Sequence, residues 1–334
     1  MGSADIAISA EGVERRFGQV IAVDGVDLAV RRGEMYGFLG PNGAGKSTLT
    51  RMLCTLLSPT AGRATVAGYD VETQAAQVRL RAGVALQDAA LDDQQTGAEM
   101  LKLQGRFYGL SAAQTRARVA ELTEMVDIGD ALNRRIGTYS GGMKRRLDLA
   151  LALVHDPEVL FLDEPTTGLD PASRARVWQE VQRLNVELGM TVFLTTQYLE
   201  EADALASRVG IINQGKLVAE GTPAELKRAI GTDVVTVFLT GSVAEAQAVL
   251  GVLDGVERIE AHGQTLTLRV SDGPSIISPV AVALSHVPHV QVRELALRRP
   301  SLDDVFLSVT GQHISTADDE SDGSPSTATS QESR

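Results

Sequence analysis

Several things that many functions require are scarce in this chain. There is one cysteine, Cys54, in 334 residues, which excludes an internal disulfide and any multi-cysteine metal centre. The five histidines, at 155, 262, 286, 289 and 313, leave little for a histidine-based metal site. His286 and His289 are separated by Pro288 and have no evident third ligand, so they read as ordinary surface or core histidines. Positive charge is in deficit: 31 Lys and Arg face 43 Asp and Glu, a net charge of −12. That balance argues against a sequence-independent nucleic-acid binder, which needs a basic face. Long apolar runs are also missing. The longest, Leu149–Val154 and Val159–Leu162, are interrupted by residues 155–158 and fall well short of the ~20 residues of a spanning helix. Residues 1–16 carry Asp5, Glu11, Glu14, Arg15 and Arg16, so no secretory leader is expected and the cytoplasm is the expected compartment.

What is present is the composition of a globular protein, 43% hydrophobic and 22% charged. At about 150 residues per domain the length suggests two domains. Val20–Val30 and Met35–Leu39 read as strands around a turn. A glycine-rich loop, Gly40–Lys46, precedes a helical run, Ser47–Leu57, and spaced apolar positions over 97–127 predict helices. Val159–Leu162, Met190–Leu194 and Val209–Ile212 are short and wholly apolar, the pattern of buried parallel strands. Strands alternating with helices predict an α/β domain over 1–230. Beyond it the order changes to strand 234–239, helix 243–253, strands 256–260 and 266–270, helix 276–284 and strand 290–297. This β-α-β-β-α-β order predicts a small α+β, ferredoxin-like domain over 231–310. Residues 311–334 are acidic and polar with almost nothing to bury, and are expected to be a disordered tail.

Two motifs carry chemistry. Gly40-Pro41-Asn42-Gly43-Ala44-Gly45-Lys46-Ser47 matches G-x-x-x-x-G-K-[ST] between a strand and a helix, the context that makes it a P-loop. Its glycines let successive N–H groups face one anion, and the helix N-terminus adds a positive dipole end. Lys46 supplies a point charge to the β- and γ-phosphates, and Ser47 offers a hydroxyl to Mg²⁺. The second motif is the apolar strand ending in Asp163-Glu164. Asp163 would hold Mg²⁺, and Glu164 would orient and polarise an attacking water.

Tyr139-Ser140-Gly141-Gly142-Met143, lying between these motifs, resembles the signature of ABC-type ATPases. The resemblance implies a P-loop NTPase fold with a helical subdomain, and ATP with Mg²⁺ at the site. It implies nucleotide contacts from residues 40–47 and Thr48, and from Ser140, Gly141 and Gly142 of a second subunit in a homodimer. Gln87 is similar to the Q-loop glutamine, a Mg²⁺ contact that senses the membrane subunit. Gly168-Leu169-Asp170 resembles the D-loop, with Asp170 reaching across the dimer. Phe17 resembles the aromatic that stacks on adenine, although a single Phe also suits a core. The family usually has a histidine switch after Thr195-Thr196, where this chain has Gln197. Gln197 can donate an N–H but cannot titrate near pH 7. With Lys46 and Glu164 it completes the expected catalytic set, as an amide substitute.

Tyr139–Ala150, the sequence Thr195–Asp203 and Ser301–Leu307 together resemble the daunorubicin/doxorubicin-resistance branch. That implies export of hydrophobic drugs or lipids through a separate integral-membrane permease, with the chain held on the cytoplasmic face of the membrane and no nucleic-acid partner. The alternative is a non-transport ABC ATPase acting on ribosomes or nucleic acid. One P-loop and one signature, with no long insertion between Ser47 and Asp163, speak against it. The absence of N-K-x-D speaks against a GTPase.

Overall fold

The computed structural model describes residues 5–86 and 91–311, and it divides into two units at Pro223/Ala224. The division therefore falls at the first residue of the helix Pro223–Ile230 rather than after the helix, where the sequence suggested. Residues 312–334, the expected tail, and Gln87 lie outside the described residues.

The first unit contains two sheets. One is antiparallel, built from β1 (Ile6–Phe17), β2 (Val20–Arg31), β4 (Ala61–Val66) and β5 (Tyr69–Asp70) in the order β2-β1-β4-β5. The other comprises β3 (Met35–Leu39), β6 (Ala82–Ala85), β7 (Val159–Asp163), β8 (Thr191–Thr196), β9 (Arg208–Asn213) and β10 (Lys216–Gly221), in the order β10-β9-β3-β8-β7-β6. It is parallel except for β10, which pairs antiparallel at the edge. Every residue of β3, β7 and β8 is buried. Their uninterrupted apolar runs have this cause, since a strand covered on both faces has no polar side to show. Tyr36, Phe38 and Phe161 gather around Phe193 with ring centroids 5.6–5.7 Å away.

Helices α1 (Lys46–Leu53), α2 (Ala75–Arg79), α3 (Gly97–Phe107), α4 (Ala112–Met125), α5 (Gly141–Leu153), α6 (Pro171–Leu188) and α7 (Leu199–Leu205) complete this unit. The helix after the P-loop is shorter than expected, ending at Leu53 rather than Leu57, and Thr55 takes a φ of 62° just beyond it. Helices α3 and α4 form the predicted helical segment, each opened by a capping box, Thr96 with Glu99 and Ser111 with Gln114. Strand β1 has no clean alternation because repeated register shifts interrupt its pairing with β2, so the sequence pattern did not reveal it.

The second unit holds α8 (Pro223–Ile230), β11 (Asp233–Thr240), α9 (Val243–Leu250), β12 (Val256–His262), β13 (Thr265–Val270), α10 (Gly273–Ser285), β14 (Gln291–Arg298) and α11 (Leu302–Thr310). Its antiparallel sheet runs β12-β13-β11-β14. In order of appearance the strands are 2-3-1-4, the arrangement of a split β-α-β sandwich. Val235, Val237, Leu239, Leu266, Leu268 and Val270 point from the sheet into a core completed by Leu250, Ile276, Val280 and Leu284.

Candidate functional site

The parallel sheet brings three carboxyl ends together. Leu39 pairs with Thr196 and Asp163 with Thr195, so Gly40, Asp163-Glu164 and Gln197 leave the sheet at one edge. This is where open α/β sheets bind ligands. Gly40 N–H donates to Thr196 O at 3.3 Å, tying the P-loop to the strand before Gln197.

The loop itself depends on glycine at close quarters. Gly45 has φ +110°, and a Cβ there would lie 2.4 Å from Ala22 O. It caps α1 without a side-chain hydrogen bond, so the first N–H groups of the helix have no side chain in competition with an anion. Lys46 is 3% exposed. Its Nζ donates to Gly40 O at 2.7 Å and Pro41 O at 3.1 Å, and it pairs with Glu164 Oε1 at 3.1 Å. Burial lowers the Lys46 pKa, while the Glu164 carboxylate opposes that shift. Ala44 is buried, and its carbonyl accepts from Gly215 N–H at 2.9 Å. Asn42 and Gly43 are exposed at the loop tip, and Thr48 follows in the first turn of α1.

Ser47 Oγ donates to Asp163 Oδ1 at 3.1 Å, and Thr195 Oγ1 donates to the same carboxylate oxygen. These are hard oxygen donors. Among the described residues no group of three or more His, Cys, Asp or Glu side chains is arranged to hold a metal. The pair therefore suits Mg²⁺, which takes one or two protein oxygens and completes its shell with water and phosphate. Thr195 is a site residue that the sequence motif alone did not single out. Its position next to Gln197 in Thr195-Thr196-Gln197 was the available signal.

Glu164 has φ +48°, a left-handed backbone unusual for a residue with a side chain. Its N–H donates to Thr195 O and Thr195 Oγ1, both at 3.1 Å, and its Oε2 accepts from Thr167 Oγ1 at 3.3 Å. Gln197 is 3% exposed, and among the described residues its Oε1 is buried with no hydrogen-bond partner.

The remaining expected residues lie apart from this cluster. Ser140 is the exposed N-cap of α5 and accepts from Met143 N–H at 3.3 Å. A Cβ on Gly142 would come within 3.0 Å of Ser173 Oγ. Ser173 Oγ in turn donates to Asp170 Oδ2 at 2.6 Å. Asp170 is the N-cap of α6, and the bonds from Ser173 hold its carboxyl below the usual range. Ser173 thus links the Gly142 turn to Asp170, while Gly141 faces Leu169. Among the described residues no hydrogen bond joins Ser140 to the Lys46 cluster. Phe17 is 47% exposed at the end of β1, with the Arg15 guanidinium 4.7 Å from its ring centroid. It is not a core aromatic.

Comparison with known proteins identifies the family. Residues 23–167 match the ABC transporter family, and residues 221–310 match the C-terminal domain of DrrA1-3-like ATP-binding proteins. The chain is 50% identical over 310 residues to the daunorubicin resistance ATP-binding protein DrrA3 of Streptomyces coeruleorubidus, covering 92% of this chain and 97% of that one. It is 47% identical over 308 residues to the daunorubicin/doxorubicin resistance ATP-binding protein DrrA of Streptomyces peucetius, covering 91% and 92%. Among solved structures it is similar to the dimeric post-hydrolysis state of the ATP-binding cassette MJ0796 bound to ADP and Pi. That match has a TM-score of 0.59 and 25% identity, over 64% of this chain and 98% of that one. None of these relatives is named for ribosomes or nucleic acid. The chain belongs to the daunorubicin/doxorubicin-resistance family of ABC-type ATP-binding proteins, as an ATP-hydrolysing cassette followed by that family's small α+β C-terminal domain.

Proposed function

We propose that this chain is the energy-coupling subunit of an exporter for hydrophobic drugs or lipids. Two copies close around two ATP molecules, and a separate permease converts closure and reopening into transport. The permease also holds the chain at the cytoplasmic face of the membrane. Among the described residues no helix is long and apolar enough to cross a membrane.

The observation that carries this reading is the split between two sets of groups. Lys46, Ser47, Asp163 and Glu164 are hydrogen-bonded or ion-paired in one cluster, while the Ser140–Gly142 turn is open to solvent or only part-buried. A second copy would bring that turn to the phosphates. Closure then adds charge-assisted contacts to the γ-phosphate that disappear on hydrolysis, so ATP favours the closed state and ADP the open one. Ser47 and Asp163 would hold Mg²⁺, which when bound neutralises developing charge on the β- and γ-phosphates. Lys46 would exchange Glu164 for phosphate, leaving that carboxylate to orient water. Gln197 Nε2 would donate to the γ-phosphate, and Phe17 would stack on the adenine.

The docking surface for the permease is proposed at a cleft of about 300 Å³ lined by Leu56, Arg79, Val84, Leu86, Tyr108 and Asp148. Leu56 is exposed there at 58%, apolar surface of the kind that marks an interaction site.

The test is Glu164→Gln. It should bind ATP, lose about 10²–10⁴-fold in turnover and accumulate as a closed dimer in size-exclusion chromatography with ATP. Wild-type hydrolysis would remove Glu164 from its role. Co-purification from membranes tests the coupling: a permease is expected, and ribosomes or DNA in its place would overturn the transport reading.

A further inference from the structure

One buried cation of the ATPase unit is not used by the mechanism above. Arg145, in the first half of α5, has a side chain only 10% exposed. Its Nε donates to Pro165 O at 3.0 Å. Its Nη1 donates to Leu86 O at 2.7 Å and Asp148 Oδ2 at 2.9 Å. Its Nη2 donates to Asp163 O at 3.3 Å and, at the limit of a hydrogen bond, to Ala85 O at 3.5 Å. One guanidinium therefore joins the helix that begins at the Ser140 turn to the end of β6 and to the end of β7.

Two of those acceptors, Asp163 O and Pro165 O, flank Glu164 in the chain. Glu164 sits in a left-handed conformation, φ +48°, which costs free energy for a residue with a Cβ and persists only where its surroundings hold it. On one side Thr195 receives the Glu164 N–H. On the other, Arg145 fastens the carbonyls before and after it. Asp148, one turn along α5 from Arg145, fixes the fork in turn.

We infer that Arg145 is a positioning residue for the hydrolytic step: it holds the left-handed turn that aims the Glu164 carboxylate and ties that turn to the helix bearing the Ser140–Gly142 turn. The inference rests on the reading of Glu164 as the group that orients water. Its physical basis is the planar fork of arginine. Five N–H groups in fixed directions reach several carbonyls together, whereas a lysine presents one point charge with three donors and cannot span them. A displacement of the carboxylate by about 1 Å lowers the rate of the chemical step, while the P-loop keeps the Lys46 bonds to Gly40 O and Pro41 O, which involve neither Arg145 nor Glu164.

The experiment measures ATP turnover, trinitrophenyl-ATP affinity and melting temperature on the full-length chain for Arg145→Lys, Arg145→Ala and Glu164→Gln. Arg145→Lys should lower kcat about 10–100-fold while nucleotide Kd stays at its wild-type value and the variant remains folded at the assay temperature. Arg145→Ala should regain turnover with added guanidinium chloride and not with methylammonium chloride, because the vacated slot lies beside Asp148, which lines the open cleft. Wild-type kcat in Arg145→Lys overturns the inference, as does a kcat loss matched by equal losses in affinity and melting temperature. A Glu164→Gln variant at wild-type rate overturns the reading of Glu164 itself. If Glu164→Gln is inactive and Arg145→Lys is not, Glu164 keeps its role and only the role of Arg145 falls.

Discussion

The two units of this chain are built on opposite principles. Among the described residues, the buried polar and charged side chains, including Lys46, Asp148, Asp163, Glu164, Gln197 and Glu201, all belong to the first unit. In the second, the buried side chains from Val235 to Phe306 are apolar. Burying a charge costs several kcal/mol unless it is paired and hydrogen-bonded. The first unit meets that requirement with partners drawn from distant parts of the chain. Glu201, wholly buried, accepts from Thr166 Oγ1 at 2.9 Å and Trp178 Nε1 at 2.8 Å, and burial still raises its pKa. The comparison teaches where function can reside. A core that contains charge must supply each charge with a partner, whereas a core of Val and Leu supplies stability and a surface.

The contrast can be broken or sharpened by substitution. Glu164→Gln has the largest expected effect, a loss of turnover with ATP binding retained. Next is Leu268→Ala in β13. It should cost the second unit about 2–5 kcal/mol in urea unfolding while nucleotide affinity is unchanged. A matching loss of ATP binding would show that the two units are not energetically separate. Gln197→Ala should follow, lowering kcat about tenfold, the scale of one lost hydrogen bond to a charged group. Gln197→His should retain turnover and acquire a pH dependence near the imidazole pKa of about 6.5; full activity in the alanine variant would remove Gln197 from the machinery. The smallest effect concerns Asp148. Burial raises its pKa to about 6, against the opposing pull of Arg145. The folded state then binds the proton more tightly than the unfolded one. This group therefore favours folding as pH falls through 6 towards 4 and disfavours it as pH rises again. Asp148→Asn should flatten the stability curve over that window in unfolding experiments at pH 5 and pH 7. An unchanged slope would assign the dependence to other groups.

Much of the candidate site was legible before any fold was known, because it is assembled from short motifs that can each be read locally. The P-loop, Asp163-Glu164 and Ser140–Gly142 are each continuous, and their flanking apolar runs announced the buried strands β3, β7 and β8. The second unit's β-α-β-β-α-β order was legible for the same reason. Other features escaped detection because they depend on pairing across the sheet. Strand β1 was hidden by its bulges. Thr195 became a partner of Asp163 only when β7 and β8 aligned. Helix α8 joined the second unit, although nothing in its composition marks a boundary there.

By itself, the amino-acid sequence determined where a phosphate-binding loop is to be expected, because glycines, lysine and serine in one short loop suffice to curl a chain around an anion. It also determined that Gln197 stands where its relatives' resemblance led one to expect histidine. Only the tertiary structure decided how the site is aimed. The left-handed Glu164, its pairing with Lys46 and the five-acceptor fork of Arg145 join residues far apart in the chain. The direction of a side chain is set by the hydrogen bonds that close around it, and those bonds exist only once the strands have found their register.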